Sequence, residues 1–307
     1  MSKIKVLLAT QKPFASSAVQ AMQEALKSAD IELEQLIGYT DKNELIDKIV
    51  DFDGLIVRSD IIDREIIQAA SKLKLIVRGG SGYDNIDIKA AHDAGVVVMN
   101  TPGQNANAVA ELVFGMLIMG ARNGYNGVSG TELKGKTLGI HAFGNVGVNV
   151  ARIAKGFGMK ILAYDPYTPS VTIYRNGVVP VCSEEELYRK SDIVSLHLPY
   201  TPMTKGVVNA ELLSLLPADG AIINTARKEI LDEEAMLNML QEKPNFKFLT
   251  DIAPDRLAEF SNFSPRFFAT PKKMGAQTVE ANNNAAIAAA RELIDFFLSG
   301  NTEFKVN

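Results

Sequence analysis

The chain has 307 residues, of which 47% are hydrophobic and 22% charged, with a net charge of −4 and a single cysteine, Cys182. That length allows two domains with ample cores, while the mildly acidic balance argues against general binding to nucleic acid or anionic membranes. One cysteine excludes an internal disulfide and a thiolate metal site, and none of His92, His141 and His197 pairs at metal-ligand spacing, so no metal is expected.

The opening MSKIKVLLAT reads as a first strand rather than a signal peptide, since no apolar core or cleavage site follows it. The runs IKVLLAT, GLIVRS, LKLIVRG and GVVVMN are short and β-rich, and helical patterns begin between them at Lys12, Asp41, Asp63 and Asp87. Thr101-Pro102-Gly103 marks a joint, leading into a long apolar helix from about Asn107 to Arg122. Its longest apolar stretch, Leu112 to Met119, is too short to span a bilayer, and a cytoplasmic protein is expected. A second series follows in TLGIHAF, KILAY, DIVSLHL, GAIINTA and FKFLTDI, and an alanine-rich helix from about Thr278 to Ser299 closes the chain. Strands alternating with helices mean parallel sheets. The expected class is α/β, with two doubly wound, Rossmann-like domains: a discontinuous one over 1–100 plus 281–307, and one over 101–280.

The most specific local signal spans residues 133 to 167, where strand, glycine turn, helix, second strand and terminal acid arrive in the order of a dinucleotide-binding βαβ unit. The turn reads Ala142-x-Gly144-x-x-Gly147, with alanine at the first position. Gly144 lets the backbone approach a pyrophosphate, Asn145 and Val146 open the helix whose free N–H groups face that anion, and Gly147 lets the helix pack on the strand. Asp165 would accept hydrogen bonds from a ribose diol and repel a 2′-phosphate, which points to NAD rather than NADP.

Ligands of open α/β sheets sit beyond the carboxyl ends of the strands, so the residues just after each apolar run matter most. These include Arg58-Ser59-Asp60, Arg78-Gly79-Gly80-Ser81-Gly82, Thr225-Ala226-Arg227, His197 and Asp251. Three arginines at strand ends suit a doubly anionic small molecule. His197 reads as a buried or adenine-packing residue rather than a catalyst, and Asp251 either orients a nicotinamide amide or caps a turn.

The stretches VRSD (57 to 60), VRGGSGYDNID (77 to 87), NTPGQNANAVAE (100 to 111), GKTLGIHAFGNVG (135 to 147), SLHLPYTPMTKG (195 to 206) and NTARKEILDEEAM (224 to 236) cover almost the whole chain. Together they resemble the D-isomer-specific 2-hydroxyacid dehydrogenase family. The resemblance implies that Arg227 binds the substrate carboxylate and carbonyl, and that Gly79, Gly80 and Ser81 cradle the substrate. It implies NAD held by Asn145, Val146, Asp165, Leu198, Thr225 and Asp251, with Gly275 beside them, and a homodimer formed through the cofactor domain.

The departure is at the acid–base pair. Family members usually carry a glutamate five residues after the aspartate matching Asp251, then a histidine in a Thr-Pro-His segment; here Arg256 and Thr270-Pro271-Lys272-Lys273-Met274-Gly275 stand instead, with Asp255 one residue from the missing acid. A lysine is expected to replace the pair, Lys273 first because aligning backward from Gly275 places it nearest the missing imidazole, and Lys272 second. A lysine of intrinsic pKa ~10.4 donates a proton readily in the reductive direction. To accept one near neutrality it needs desolvation or a neighbouring cation such as Arg227. The expected reaction is reversible hydride transfer between NAD and a D-2-hydroxy acid. Arg58 and Arg78 favour a phosphorylated one, 3-phosphoglycerate with 3-phosphohydroxypyruvate, and Lys5 and Lys12 are more distant candidates. Two alternatives stand beside it: a hydroxypyruvate or glyoxylate reductase, and an NAD(H)-sensing binding protein with weak catalysis.

Overall fold

The computed structural model describes residues 3–307. It divides into two compact units, one running to Asn105 and resuming at Thr278–Asn307, the other Ala106–Gln277.

In the first unit, β1 (Lys5–Thr10), β2 (Glu32–Ile37), β3 (Gly54–Val57), β4 (Leu75–Arg78) and β5 (Val97–Asn100) alternate with α1 (Ser16–Ser28), α2 (Lys42–Ile49), α3 (Arg64–Ala69) and α4 (Ile88–Asp93). The strands form one parallel sheet in the order β2-β1-β3-β4-β5, a doubly wound arrangement. Successive side chains point to opposite faces, so both faces must be apolar. Leu7, Ala9, Leu55, Val57 and Ile76 pack with α2, α3 and α4, while Val6, Leu8, Ile56, Leu75 and Val77 pack with α1 on the other side. Asp41, Asp63 and Asp87 are the N-caps of α2, α3 and α4, each accepting backbone N–H groups that the first helical turn leaves free. The first helix starts at Ser16, not Lys12, because residues 11–15 form a turn in which Thr10 Oγ1 donates to the Lys12 carbonyl at 2.8 Å. β2 had no apolar run to announce it: ELEQLI is a half-polar edge strand.

The second unit begins with α5 (Ala106–Ala121) and continues through β6 (Thr137–His141), α6 (Asn145–Gly156), β7 (Lys160–Tyr164), α7 (Ser170–Arg175), β8 (Val179–Pro180), α8 (Glu184–Lys190) and β9 (Ile193–Leu196). It ends with α9 (Ala210–Ser214), β10 (Ala221–Asn224), α10 (Glu233–Glu242), β11 (Lys247–Thr250), α11 (Leu257–Ser261) and β12 (Phe267–Ala269). The seven-stranded parallel sheet runs β12-β11-β10-β9-β6-β7-β8. Strand order therefore reverses between β6 and β9, which opens a crevice at their carboxyl ends. One face of the sheet is covered by α5, α6 and α7, the other by α8 to α11.

The chain then returns to the first unit through α12 (Val279–Ser299), capped by the Thr278 hydroxyl and ended by Gly300 in the left-handed conformation. Ala286, Ala289, Ala290 and Leu293 of α12 join the α1 side of that sheet, and Gly54 gives the helix room, since a Cβ there would lie 3.2 Å from Leu293. Among the described residues no helix is long and apolar enough to cross a membrane.

Glu292, also on α12, is 8% exposed and its Oε2 has no hydrogen-bond partner among the described residues. Burial, with Asp295 and Glu303 nearby, pushes its pKa up to about 8. Because the folded value lies above the unfolded one, stability is full below the unfolded pKa of ~4.3 and is lost as pH rises through the folded value. Glu292→Gln should therefore differ little from the parent chain at about pH 5 and gain roughly 4 kcal/mol on it between about pH 5 and about pH 9. Calorimetric melts at the two pH values check this; equal stability at both shows that the site does not disfavour the ionised acid.

Candidate functional site

At the turn after β6, Ala142 has φ 78°, the left-handed region that glycine occupies freely and alanine at a cost of about 1 kcal/mol. The altered first position thus keeps the backbone path that a glycine would take. Gly144 is the N-cap of α6 in extended conformation, and no atom comes within 4 Å of the place its Cβ would occupy. A Cβ on Gly147 would fall 2.6 Å from the Ala142 carbonyl oxygen, so the helix can start here only with glycine. Asn145 is exposed and Val146 partly so at the helix N-terminus, where free N–H groups and the dipole favour an anion.

Asp165 follows β7. Its Oδ2 accepts from the Phe143 N–H at 2.7 Å, and its Oδ1 accepts from the N–H groups of Tyr167 and Thr168 at 2.8 and 3.2 Å. The same carboxylate thus ties the glycine turn to its own loop and stays partly accessible. Leu198 is buried just beyond β9, and Thr225 is buried just beyond β10 with an Oγ1 that no described residue satisfies. A buried hydroxyl without a partner is costly, and together with the open Gly144 it fits a dinucleotide lying across these strand ends.

The histidines are accounted for. His141 is buried, with Nδ1 3.2 Å from the Tyr188 hydroxyl and Nε2 3.2 Å from Glu184. Nε2 of His197 lies 2.9 Å from the Ser195 hydroxyl, and burial, reinforced by His141, lowers its pKa to about 3, so it stays neutral at physiological pH. His92 is exposed near the end of α4 in the other unit.

Beyond β10, buried Asn224 holds the turn that carries Arg227. Its Oδ1 accepts from the Ala226 N–H and its Nδ2 donates to the Arg227 carbonyl, both at 2.9 Å. Arg227 Nη1 donates back to the Ala226 carbonyl at 2.9 Å, and Lys273 Nζ reaches the same oxygen at 3.4 Å. The two cations therefore share one acceptor. Both lysines are exposed; what separates them is that Lys272 Nζ makes no hydrogen bond or ion pair among the described residues. The residues around the missing acid turn elsewhere: Asp255 pairs with Lys228, and Arg256 with Glu259 at 2.6 Å.

The lysine loop is anchored from below by Asp251, which is fully buried. Its Oδ1 accepts from the Thr270 hydroxyl at 2.9 Å and the Met274 N–H at 2.6 Å, and its Oδ2 from the Gly275 N–H at 2.7 Å. Gly275 leaves room for that carboxylate, since a Cβ would sit 2.9 Å from Oδ2. Of the two roles open to Asp251 in the sequence, the turn-holding one is what these contacts display. The contributions of Asn224 and Thr270 were missed, although Thr270 was visible as the residue opening the Thr-Pro segment.

In the first unit, Val57 pairs with Arg78 in the sheet register, which puts Arg58 and Arg78 at neighbouring strand ends. Arg58 Nη1 donates to the Pro13 carbonyl at 3.1 Å, and its guanidinium lies 5.2 Å from the centroid of the Phe14 ring. Asp60, 3% exposed, fixes this rim by accepting from the Gln11 N–H, the Tyr39 hydroxyl and the Arg58 N–H. Arg78 Nη1 donates to the Gly79 carbonyl at 3.2 Å. Gly80 has φ 147°, and a Cβ on it would collide with Arg78 Nη1 at 1.5 Å; on Gly79 a Cβ would press on Phe14 at 2.9 Å. The Ser81 hydroxyl donates to Asn105 Oδ1 at 3.3 Å, and the Ser81 carbonyl accepts from Asn100 at 2.6 Å. No group of three or more His, Cys, Asp or Glu side chains able to hold a metal occurs among the described residues.

Residues 93–272 match the family described as D-isomer specific 2-hydroxyacid dehydrogenase, NAD binding domain. The chain is 37% identical over 253 residues to D-3-phosphoglycerate dehydrogenase of Methanocaldococcus jannaschii, covering 78% of this chain and 47% of that one. It is 35% identical over 289 residues to hydroxypyruvate reductase of Thermotoga maritima, covering 85% and 90%. The chain spans about half the length of the curated phosphoglycerate dehydrogenases it matches. Among solved structures, that of NAD+-bound 3-phosphoglycerate dehydrogenase from Entamoeba histolytica superposes with a TM-score of 0.92 at 48% identity, covering 100% of this chain and 99% of that one.

Proposed function

Because the chain belongs to the D-isomer specific 2-hydroxyacid dehydrogenase family and carries its NAD-binding domain, we infer that it catalyses reversible hydride transfer between NAD and C2 of a D-2-hydroxy acid. The preferred pair is 3-phosphoglycerate and 3-phosphohydroxypyruvate, and the enzyme is a cytoplasmic homodimer. The nicotinamide, when bound, supplies the hydride chemistry. Gly144, Asn145 and Val146 would hold the pyrophosphate, with Gly147 packing the helix against the turn, Asp165 the ribose diol, and Leu198 and Thr225 the strand-end side of the cofactor. Arg227 pairs with the substrate carboxylate and stabilises negative charge as it develops on the C2 oxygen. Lys273 donates the proton to that oxygen in reduction and takes it back in oxidation.

The observation that carries this reading is the shared Ala226 carbonyl, which brings the Lys273 ammonium beside Arg227, while His141 and His197 are engaged elsewhere and His92 lies on α4 of the first unit. For the dimer, α5 offers Leu112, Ile118 and Met119, which are only partly buried within the unit. NADH oxidation with 3-phosphohydroxypyruvate, run beside hydroxypyruvate, glyoxylate and pyruvate, tests the reaction. The absence of turnover with every acid, despite tight NADH binding, would leave an NAD(H)-sensing protein instead.

The Thermotoga maritima relative, matched over 90% of its length, favours a second reading: reduction of unphosphorylated hydroxypyruvate. Arg58 and Arg78 separate the two. If they bind a phosphate, Arg58→Ala and Arg78→Ala should each cost about tenfold to a hundredfold in kcat/KM for the phosphorylated acid. The loss for hydroxypyruvate should stay within about threefold. Equal losses for both acids favour the reductase.

A further inference from the structure

A cavity of about 340 Å³ opens in the second unit at the amino-terminal ends of its strands, the rim opposite to the one that carries Asp165, Thr225 and Arg227. Its edge is charged in sheet order. Lys247 begins β11, Asp219 precedes β10, Asp192 precedes β9 and Lys136 precedes β6. Asp192 is committed, since it accepts from the Thr137 N–H at 2.7 Å. The side chains of Asp219, Lys136 and Lys247 make no ion pair or hydrogen bond among the described residues.

β6 and β11 are three strand spacings apart, ~14 Å at the backbone, so the two lysines flank the cavity from opposite sides with Asp219 and the backbone-bonded Asp192 between them. Burial lowers the pKa of Lys247, and the charges of Lys136 and Arg266 lower it further against the opposing pull of Asp219. Cations that repel one another across a half-buried space gain from an anion placed between them. Asn123, Ser129 and Thr131 add neutral hydrogen-bonding groups to the wall. That wall is preformed: the Thr131 N–H donates to the Ala121 carbonyl at 2.8 Å, and a Cβ on Gly130 would lie 2.1 Å from the same oxygen. The volume lies at the small end of the range for small-molecule sites.

We propose that this cavity binds a small dicarboxylate with a hydrogen-bond donor between its acidic groups, an amino- or hydroxy-dicarboxylate in class. Lys136 and Lys247 each take one acidic end, and Asp219 takes the central donor. The site is separate from the strand ends assigned to hydride transfer and stands whether or not that reading holds.

Isothermal titration of the intact chain, saturated with NADH, against glutamate and succinate tests it. Both acids should bind with a Kd of about 1 mM or tighter, glutamate about tenfold more tightly because succinate lacks the central donor. Lys136→Gln with Lys247→Gln should weaken both at least about tenfold, and Lys247→Gln alone measurably, while NADH affinity stays unchanged. Asp219→Asn should remove the advantage of glutamate. Failure of both acids to bind the intact chain, or binding that survives the paired lysine substitution, overturns the proposal. So does a paired variant whose only change is its sedimentation, since the cavity would then be filled by a second copy of the chain.

Discussion

Lys273→Ala should lower kcat for reduction of 3-phosphohydroxypyruvate by about a hundredfold to ten-thousandfold, the usual worth of a positioned proton donor. NADH binding should be unchanged, because Lys273 follows β12, four strands from β6 and its glycine turn. Lys272→Ala is the internal control: its ammonium is exposed and makes no contact among the described residues, so it should retain activity within about threefold. Lys273→Arg separates charge from proton exchange. The guanidinium restores the cation beside the Ala226 carbonyl but does not give up a proton near neutrality, so it should rescue substrate binding without rescuing kcat. Stopped-flow traces of NADH oxidation, with separate fluorescence titrations of NADH, read both quantities. Near-normal kcat in Lys273→Ala with a collapse in Lys272→Ala would exchange the roles of the two residues.

The lysine loop also shows where the sequence was readable and where it was not. Both sheets and the glycine turn after β6 follow from local pattern, because apolar runs, Asp caps and glycines act over a few residues. The strands without such a run, β2, β8 and β12, are edge strands that are short or half polar, and their neighbours in space define them more than their own residues do. At the site, Arg227 and the choice between two adjacent lysines could be argued from position. The hub beneath them could not, since Asp251 meets Met274 and Gly275 only after β12 has folded alongside β11. Lys136 and Lys247 were similarly invisible as a pair. In sequence each is an ordinary lysine before a strand, and only the strand order brings them to one cavity.

Asp251 carries the second large effect. Its two oxygens accept three hydrogen bonds from the loop and donate none, so the site is built for a carboxylate rather than an amide. In Asp251→Asn the amide nitrogen must face at least one of these donors, the Met274 or Gly275 N–H or the Thr270 hydroxyl. In either orientation a backbone N–H, of Met274 or Gly275, then loses its acceptor, while the Thr270 hydroxyl can turn its proton to the Lys272 carbonyl at 2.8 Å. Removing one such bond from a buried, charge-assisted set costs about 2–3 kcal/mol, so the variant should melt lower by several degrees, as a chain of this size does for that loss. The catalytic consequence should exceed the thermal one. On the proposed role of Lys273, a loop that slips by about 1 Å would misplace its ammonium, and such misplacement costs on the order of a hundredfold in rate. With Lys273 as the proposed proton donor and Asp251 working through the loop, kcat should fall in Asp251→Asn while the KM for NADH changes little. Combining it with Lys273→Ala should add almost nothing to the loss in kcat, since a misplaced donor cannot be lost twice. Additive losses in the double variant, or a selective rise in the KM for NADH, would show that Asp251 acts on the cofactor rather than through the loop.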